Sequence, residues 1–226
     1  MRRIAVMLLA VAAPAAMAWP VNARFELTVG DEKFQRLTPD AWLEVENTAV
    51  ATAELFETAE VMLTGKAAGS TLVLVHAEDK VMVWRVVVRA PGDHTSAPAT
   101  DPAAAARKAC RDLKVEGAEL TATIRDEACR QALLALFSGE RDPFLARDLD
   151  LTFDLAALQA QLRAVQAGLA KVAPDVKAVY VGAGVRLTGR ATTAQHRRAY
   201  WELFRASVGR LALEDRIEAV EEAKAP

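Results

Sequence analysis

The sequence predicts a mixed α+β protein, with a small all-β sandwich in its first part and an α/β region in its second. Short β-branched segments separated by Gly, Asn and Asp turns fill residues 25–89. From residue 103 to residue 217, helical periods of apolar residues alternate with short apolar strands. The chain has 226 residues, of which 52% are apolar, so it is long enough for two domains with packed cores.

The N-terminus has the pattern of an export signal. Arg2-Arg3 precedes an apolar run at residues 4–13, and Ala16-Met17-Ala18 is an A-x-A cleavage site. We therefore expect residues 1–18 to be a signal peptide and the mature product to be periplasmic. The alternative is a retained membrane anchor, which Pro14 and the short apolar run disfavour.

A β-sandwich domain is predicted for residues 19–90. Phe25, Leu27 and Val29 alternate with polar residues, and Gly30-Asp31 predicts a turn. The next strand should therefore return antiparallel to the first. The remaining strands are predicted at residues 33–37, 41–46, 50–56, 61–64, 71–75 and 81–89.

The last of these strands has one fully apolar face. Met82, Trp84, Val86 and Val88 share that face, whereas the opposite face is mixed and includes Arg85. Such a strand covers a core on one side only. We therefore expect the sandwich to need no helix for its burial.

A glycine-bounded loop joins two strands of the sandwich. Leu63-Thr64-Gly65-Lys66 precedes it and Gly69-Ser70-Thr71 follows, and a glycine at each end suits a tight connection with positive φ. With the earlier segments ELTVGDEKFQRL and WLEVENTAVATAEL, these residues resemble the pilus-formation N-terminal domain that precedes the channel domain in secretins of the Tad/Flp pilus. The signature positions are Gly65, Lys66, Gly69 and Thr71. The residues alone also allow an unrelated sandwich with a glycine-rich hairpin.

A linker is predicted at residues 91–106, where Pro, Ser, Thr and Ala predominate without an apolar period. Asp101-Pro102 is typical of a helix start, so a helix should run from there to about Leu113. The linker should separate two domains.

Residues 107–153 alternate strand, helix and strand. The strands are predicted at residues 119–124 and 149–153, and the helix between them should begin at Asp126 and end at Gly139. This α/β segment is assigned to no family, although its order is compatible with another short N-domain of the secretin type.

A long helix is predicted after Asp154, because apolar residues recur at spacings of three and four until Pro174. These residues are Leu155, Leu158, Leu162, Val165, Leu169 and Val172. The stripe allows a coiled coil, but its short length favours a helix that lies on a sheet.

The rest of the chain completes an α-β-β-α-β order. Two strands, a helix and a last strand are predicted at residues 176–181, 185–187, 193–207 and 211–217. Thr192 and Gln195 have capping-box spacing for the helix. Residues 219–226 form a polar tail.

The centre of this region is similar to the BON domain, so residues 154–218 are expected to be BON-like. Gly184-Val185-Arg186-Leu187-Thr188-Gly189 matches the central family motif. The signature positions are Gly184, Leu187 and Gly189. The strand at residues 211–217 departs from the family pattern. Secretins of the Tad class are similar in carrying a BON-like segment after the pilus N-domain, so the order of the two modules supports both resemblances.

Leu63-Thr64-Gly65-Lys66-Ala67 and Leu187-Thr188-Gly189-Arg190-Ala191 are nearly the same. One precedes a Gly/Ser turn and the other a capped helix. We interpret them as the same local feature, a strand that ends at a glycine, and not as a duplication.

Cys110 and Cys129 are the two cysteines of the chain. An exported protein meets an oxidising compartment, so a disulfide between them is expected to contribute about 3 kcal/mol. The alternative is two buried thiols that never meet.

The residues show no enzyme, metal or cofactor motif, and we expect a protein that is not an enzyme and needs no cofactor. The formal charge of −2, without a basic run that contains aromatics, argues against nucleic acid. The resemblances imply an exported component of a Tad/Flp-type pilus or related secretin apparatus, which docks to a secretin, to other apparatus proteins or to itself. No long series of amphipathic β-strands follows Pro226, so we do not expect the chain itself to form the outer-membrane gate. It would associate with that membrane through a partner.

The alternative function is a BON-type adaptor on phospholipid or cell-envelope surfaces. Arg197, Arg198 and Arg205 share the last helix with His196, and such a cluster attracts anionic headgroups. An ordinary solvated helix face explains the same residues.

Overall fold

The computed structural model describes residues 21–78, 80–93, 103–117, 119–138, 148–182, 184–208 and 212–221. In these ranges the chain forms strands in four small sheets together with four helices, a mixed α+β fold as predicted. The expected signal peptide, Asp101-Pro102, Gly139, most of the linker and most of the tail lie outside the described residues.

The first seven strands form two facing sheets. They are β1 (Ala23–Thr28), β2 (Glu32–Arg36), β3 (Trp42–Val45), β4 (Ala51–Leu55), β5 (Glu60–Gly65), β6 (Gly69–Ala77) and β7 (Lys80–Arg89). One sheet has the order β1-β7-β6-β3 and the other β2-β5-β4. Buried side chains from both sheets, among them Leu63, Val73 and Trp84, meet in one core. The alternation of apolar and polar residues therefore produces the expected sandwich.

The predicted hairpin between the first two strands is wrong. β1 pairs in parallel with β7, whereas β2 pairs antiparallel with β5. The Gly30-Asp31 turn carries the chain from one sheet to the other, because the Gly30 N–H donates to the Gly65 carbonyl and the Gly65 N–H donates to the Asp31 carbonyl. These bonds attach the turn to β5 instead of closing a hairpin.

The expectation that the sandwich needs no helix is also wrong. Leu72, Leu74 and Val83 point away from the sandwich core, yet each is at most 8% exposed. They share a second core with residues of the C-terminal helices and sheet, including Tyr200 and Phe204. The β6–β7 sheet is therefore covered on both faces.

The middle region is a small α/β unit. Its elements are α1 (Ala104–Ala109), β8 (Lys114–Glu116), β9 (Glu119–Ile124), α2 (Glu127–Ser138) and β10 (Asp148–Phe153). β9 pairs in parallel with β10, as a strand-helix-strand crossover requires, and antiparallel with β8. The helix that was predicted to reach Leu113 ends at Ala109, and the short strand β8 was not predicted.

The C-terminal region has the predicted α-β-β-α-β order. Its elements are α3 (Leu155–Val172), β11 (Lys177–Val181), β12 (Gly184–Ala191), α4 (Thr193–Ala206) and β13 (Ala212–Ala219). β12 lies between β11, which is antiparallel to it, and β13, which is parallel. Val165 and Leu169 of the α3 stripe share a core with Val185 and Leu187 of β12, so this part of the stripe lies against the sheet.

Buried polar side chains connect the three regions. Arg85 of β7 is 2% exposed and donates to the Phe137 carbonyl at the end of α2. Arg130 of α2 donates to the Ala206 carbonyl at the end of α4. Within the C-terminal unit, the Val208 N–H donates to Gln161 of α3. Each of these bonds satisfies a buried group that would otherwise be costly, so sandwich, middle unit and C-terminal unit pack as one body.

Candidate functional site

The first signature loop is structural. A Cβ on Gly65 would meet the Thr28 carbonyl oxygen at 2.8 Å. Gly69 has a φ of 153°, and a Cβ there would lie 3.2 Å from a Val50 methyl group. Thr71 is buried, and its hydroxyl accepts the Asn47 N–H at 2.9 Å. The expected positive φ therefore occurs at one end of the loop only, because the other end is limited by the close approach of β1.

Lys66 of the same signature is exposed. Its backbone N–H donates to the Val50 carbonyl, so its main chain fixes the loop. Its side chain has no ion pair among the described residues.

The second signature stretch is also structural. Gly184 is buried at the start of β12, and Leu187 is 0% exposed in the core beneath α3 and α4. Gly189 has a φ of 127°, and a Cβ there would collide with the Asp175 carbonyl. These positions shape the sheet and offer no side chain for chemistry.

The two cysteines are bonded in the structure. The sulfurs of Cys110 and Cys129 are 2.05 Å apart, and the bridge joins the end of α1 to the start of α2. Both residues are 2% exposed and belong to the core of the middle unit. The bridge therefore fastens α1, which is only six residues long, to the unit's largest helix.

The three arginines of α4 do not form a free basic surface. Arg197 lies over the Trp42 ring, 5.0 Å from its centroid, and Arg205 pairs with Glu46 and Glu202. Arg198 is exposed. Arg197 and Arg205 therefore meet aromatic or acidic partners, which leaves Arg198 as the exposed base of the three and weakens the basis of the anionic-surface hypothesis.

A groove of about 260 Å³ lies where α4 crosses β3. The residues that line it are Glu44, Val45, Glu46, Val172, Arg198, Trp201, Glu202 and Arg205. Three carboxylates face two guanidinium groups there. Arg205 forms ion pairs with both Glu46 and Glu202, whereas one Glu44 oxygen is buried without a hydrogen-bond partner among the described residues.

A polar and aromatic cluster borders this groove. Asp215 of β13 accepts from the Tyr200 hydroxyl and contacts His196 Nε2, each at 2.6 Å. The Tyr200 ring lies 5.9 Å from Trp42, which in turn stacks on His76 at 5.4 Å. The cluster therefore joins the edge of the sandwich to α4 and β13.

The carboxyl group of Asp215 is stabilised in its charged form. Burial alone would raise its pKa, but the hydrogen bonds from His196, Tyr200 and the Ile217 amide outweigh burial and hold that pKa below its usual range. Burial and the Asp215 carboxylate together raise the pKa of Tyr200, which remains a hydrogen-bond donor.

Sequence reasoning missed this cluster, although one sign was present. Asp215 lies between Leu213 and Ile217 on the same face of β13, and both of these apolar residues pack against the C-terminal core. A carboxylate on the apolar face of a strand calls for a buried donor. Tyr200 is that donor.

The C-terminal sheet has an open face. α3 and α4 cover one side, on which Val185 and Leu187 are buried, while Val179 and Val181 of β11 are 43% and 41% exposed on the other. The charged side chains of that open face are Lys177, Arg186, Arg190, Glu214, Arg216 and Glu218. Four bases therefore stand against two acids.

The part of the chain that the structure describes contains neither a candidate metal site nor a candidate membrane-spanning helix. No cluster of His, Cys, Asp and Glu there is suited to hold a metal ion. Within the same ranges, no helix has the length and apolarity needed to cross a membrane.

No protein-family model and no curated protein match this chain. Parts of it are similar to solved domains of the S-layer protein SbsC, at 18% identity. Domains 4 and 5 give a TM-score of 0.25 over 28% of this chain and 45% of theirs. Domains 5-6 give 0.27 over 34% and 47%, and domains 4-9 give 0.27 over 32% and 14%. The match thus spans less than half of each of these structures, and similarity at this level carries no argument about function.

Proposed function

We propose that this protein is an exported, non-enzymatic component of the cell envelope that works by docking in a Tad/Flp-type pilus or a related secretin-based apparatus. Its sandwich would be the pilus N-terminal module and its C-terminal unit the BON-like module. The partner would be a secretin or another protein of the apparatus.

The observation that carries the proposal is the one-sided cover of the C-terminal sheet. Both helices of the α-β-β-α-β unit pack on one face, and the exposed valines of β11 lie on the other. Exposed apolar residues bounded by charged ones are typical of protein interaction surfaces. Because the sandwich shares a core with the helices, the open face of the C-terminal sheet keeps a fixed orientation relative to the sandwich.

The disulfide supports the exported location. Cys110 and Cys129 are bonded inside a core, and structural disulfides persist in oxidising compartments. The Arg2-Arg3 start and the A-x-A site of the sequence agree with that location.

The test is an affinity pull-down of the tagged protein from detergent-solubilised envelope, with identification of the proteins that co-purify. Recovery of a heat-resistant secretin multimer or of other pilus proteins is expected. The double substitution Val179→Asp and Val181→Asp should abolish that recovery. The matched control is Val29→Asp, an exposed valine of the sandwich, which should leave recovery unchanged. If the tagged protein is recovered without any envelope protein, the proposal is wrong.

A second candidate function is adaptor binding to an anionic phospholipid surface. The open face of the C-terminal sheet favours it, because that face has four basic and two acidic side chains. Arg186, however, already pairs with Glu214 at 2.6 Å, and Arg190 with Glu218 at 3.8 Å. Salt-sensitive binding to vesicles of anionic lipid, lost in Lys177→Glu and retained in Arg198→Glu, would replace docking by this function.

A further inference from the structure

The outer edge of β3 carries unused backbone hydrogen-bonding groups. β3 is an edge strand, since the order of its sheet is β1-β7-β6-β3. The Glu46 N–H bonds to the Leu72 carbonyl, so in this antiparallel pair Glu44 and Trp42 also face β6 with their backbone groups. The groups of Leu43 and Val45 therefore point away from β6, and none of them has a hydrogen-bond partner among the described residues.

The side chains of β3 divide this edge into two sides. Leu43 and Val45 pack against the sandwich core, whereas Trp42, Glu44 and Glu46 face α4. Glu44 is thus the residue of β3 that lies in the groove beside Trp201 without an ion pair. An additional strand along this edge would place every second side chain in the same groove.

The charges of the groove select the occupant. A residue directly opposite Glu44 on an added strand projects on the same face as Glu44, so a Lys or Arg there would supply the missing partner. A second copy of this chain fits poorly. The antiparallel register that bonds both Leu43 and Val45 on each strand would place Glu44 opposite Glu44.

We propose that the β3 edge and its groove bind an extended segment of a partner protein as a fifth strand, with a Lys or Arg side chain opposite Glu44. This inference rests on the proposed docking function and names the kind of segment that docks. Main-chain bonds to Leu43 and Val45 provide affinity, and the basic side chain provides selectivity.

The first test selects binders from a displayed library of random peptides on the purified protein. The expected peptides alternate apolar and polar residues and share a Lys or Arg at one position. They should bind Glu44→Lys more than about ten-fold more weakly, the loss expected for a charge-assisted bond, and Glu44→Gln with a smaller loss. The matched control is Glu32→Lys on β2, an edge strand of the other sheet, which should bind as the wild type does.

Three results of the selection overturn the inference. They are peptides without a common basic position, peptides that bind Glu44→Lys as well as the wild type, and no peptide above background. Loss of binding in Glu32→Lys alone would place the docking strand on β2 instead.

The second test changes the peptide and leaves the protein intact. N-methylation removes a backbone donor, so methylation at residues whose N–H faces β3 should abolish binding, while methylation at the alternate residues should leave it unchanged. Equal effects at both sets of residues would show that the peptide does not bind as a strand.

The failure of this inference and that of the proposed function are distinguishable. Recovery of secretin-apparatus proteins by Glu44→Lys as well as by the wild type would keep the function and overturn the β3 edge. Charge-dependent peptide binding without any recovered apparatus protein would keep the edge and overturn the function.

Discussion

Two stretches of this chain begin with the same three residues and solve the same packing problem differently. Leu63-Thr64-Gly65-Lys66 ends β5 in the sandwich, and Leu187-Thr188-Gly189-Arg190 lies in β12 of the C-terminal unit. Both leucines are 0% exposed, one in the sandwich core and the other beneath the C-terminal helices. In both stretches the glycine passes close to the carbonyl of a neighbouring segment.

The backbone separates the two stretches. Gly189 has a φ of 127°, whereas Gly65 is not among the described glycines with positive φ. Gly65 is needed only because the Thr28 carbonyl leaves no room for a Cβ, while Gly189 is needed for conformation and for space beside Asp175. A short shared motif therefore predicts a buried leucine and a close approach, and leaves the backbone conformation undetermined.

Gly189→Ala should have the largest effect on this comparison. The new Cβ meets the Asp175 carbonyl and the residue keeps an unfavourable φ, so the free energy of unfolding should fall by more than about 3 kcal/mol. Urea unfolding followed by tryptophan fluorescence measures it. Gly182→Ala is the matched control, because Gly182 has a φ of 59° and open space around it. A loss equal in both variants would remove the close approach from the explanation.

Loss of the disulfide should affect the C-terminal unit, which contains the second stretch, more than the sandwich, which contains the first. Cys110→Ser with Cys129→Ser opens a bridge between residues 19 positions apart and should cost about 3 kcal/mol. The middle unit holds the end of α4 through Arg130 and the Ala206 carbonyl, so amide exchange near Ala206 should accelerate. Exchange at residues 63–66 should stay as it is in the wild type. Equal acceleration at both places would contradict this difference.

Local patterns were sufficient to predict most elements. The strands at residues 119–124 and 81–89 lie within one residue of β9 and β7, and Thr192 with Gln195 forms the capping box that the spacing indicated. These features depend on neighbouring residues only. The continuous apolar run of residues 72–75 is typical of a strand that is buried on both faces. Arg85 and Arg89 of β7, however, led to the prediction that only one face of the sheet is buried.

The assembly of the units could not be predicted from local patterns. Arg205 and Glu46, which join α4 to β3, are 159 positions apart, and no alternation or spacing relates them. Arg85 was expected on a mixed, partly solvated face, yet it is buried against the Phe137 carbonyl. The groove and the β3 edge depend on these distant contacts, which is why the candidate site emerges only from the folded structure.

Gly65→Ala should cost less than Gly189→Ala. Its Cβ would contact the Thr28 carbonyl at 2.8 Å and a Val88 methyl at 3.1 Å, but its φ needs no change, so a loss of about 2 kcal/mol is expected. Lys66→Ala, at the exposed neighbour, should change stability by less than about 0.5 kcal/mol. The same urea titration measures both variants. A loss as large as that of Gly189→Ala would mean that crowding alone governs the two glycines.

The smallest effect should appear on acidification, and in the second stretch only. Asp215 lies opposite Leu187 in the β12–β13 register, and its pKa is lower in the folded chain than its usual value. Stability from this group is therefore complete above the unfolded pKa, near 4, and is lost as pH falls through the folded pKa. Because the side chain is 27% exposed, about 1 kcal/mol or less is expected.

Asp215→Asn isolates this contribution. Asn retains an acceptor for the Tyr200 hydroxyl but carries no charge, so the variant should be less stable than the wild type at pH 7, and the difference should shrink toward pH 3. Urea unfolding at both pH values measures it, and Asp31→Asn, at the turn near Gly65, is the control. If the control lost as much stability as Asp215→Asn, acid sensitivity would not distinguish the two stretches. If the difference between Asp215→Asn and the wild type were the same at pH 3 as at pH 7, the charge of Asp215 would have no role in it.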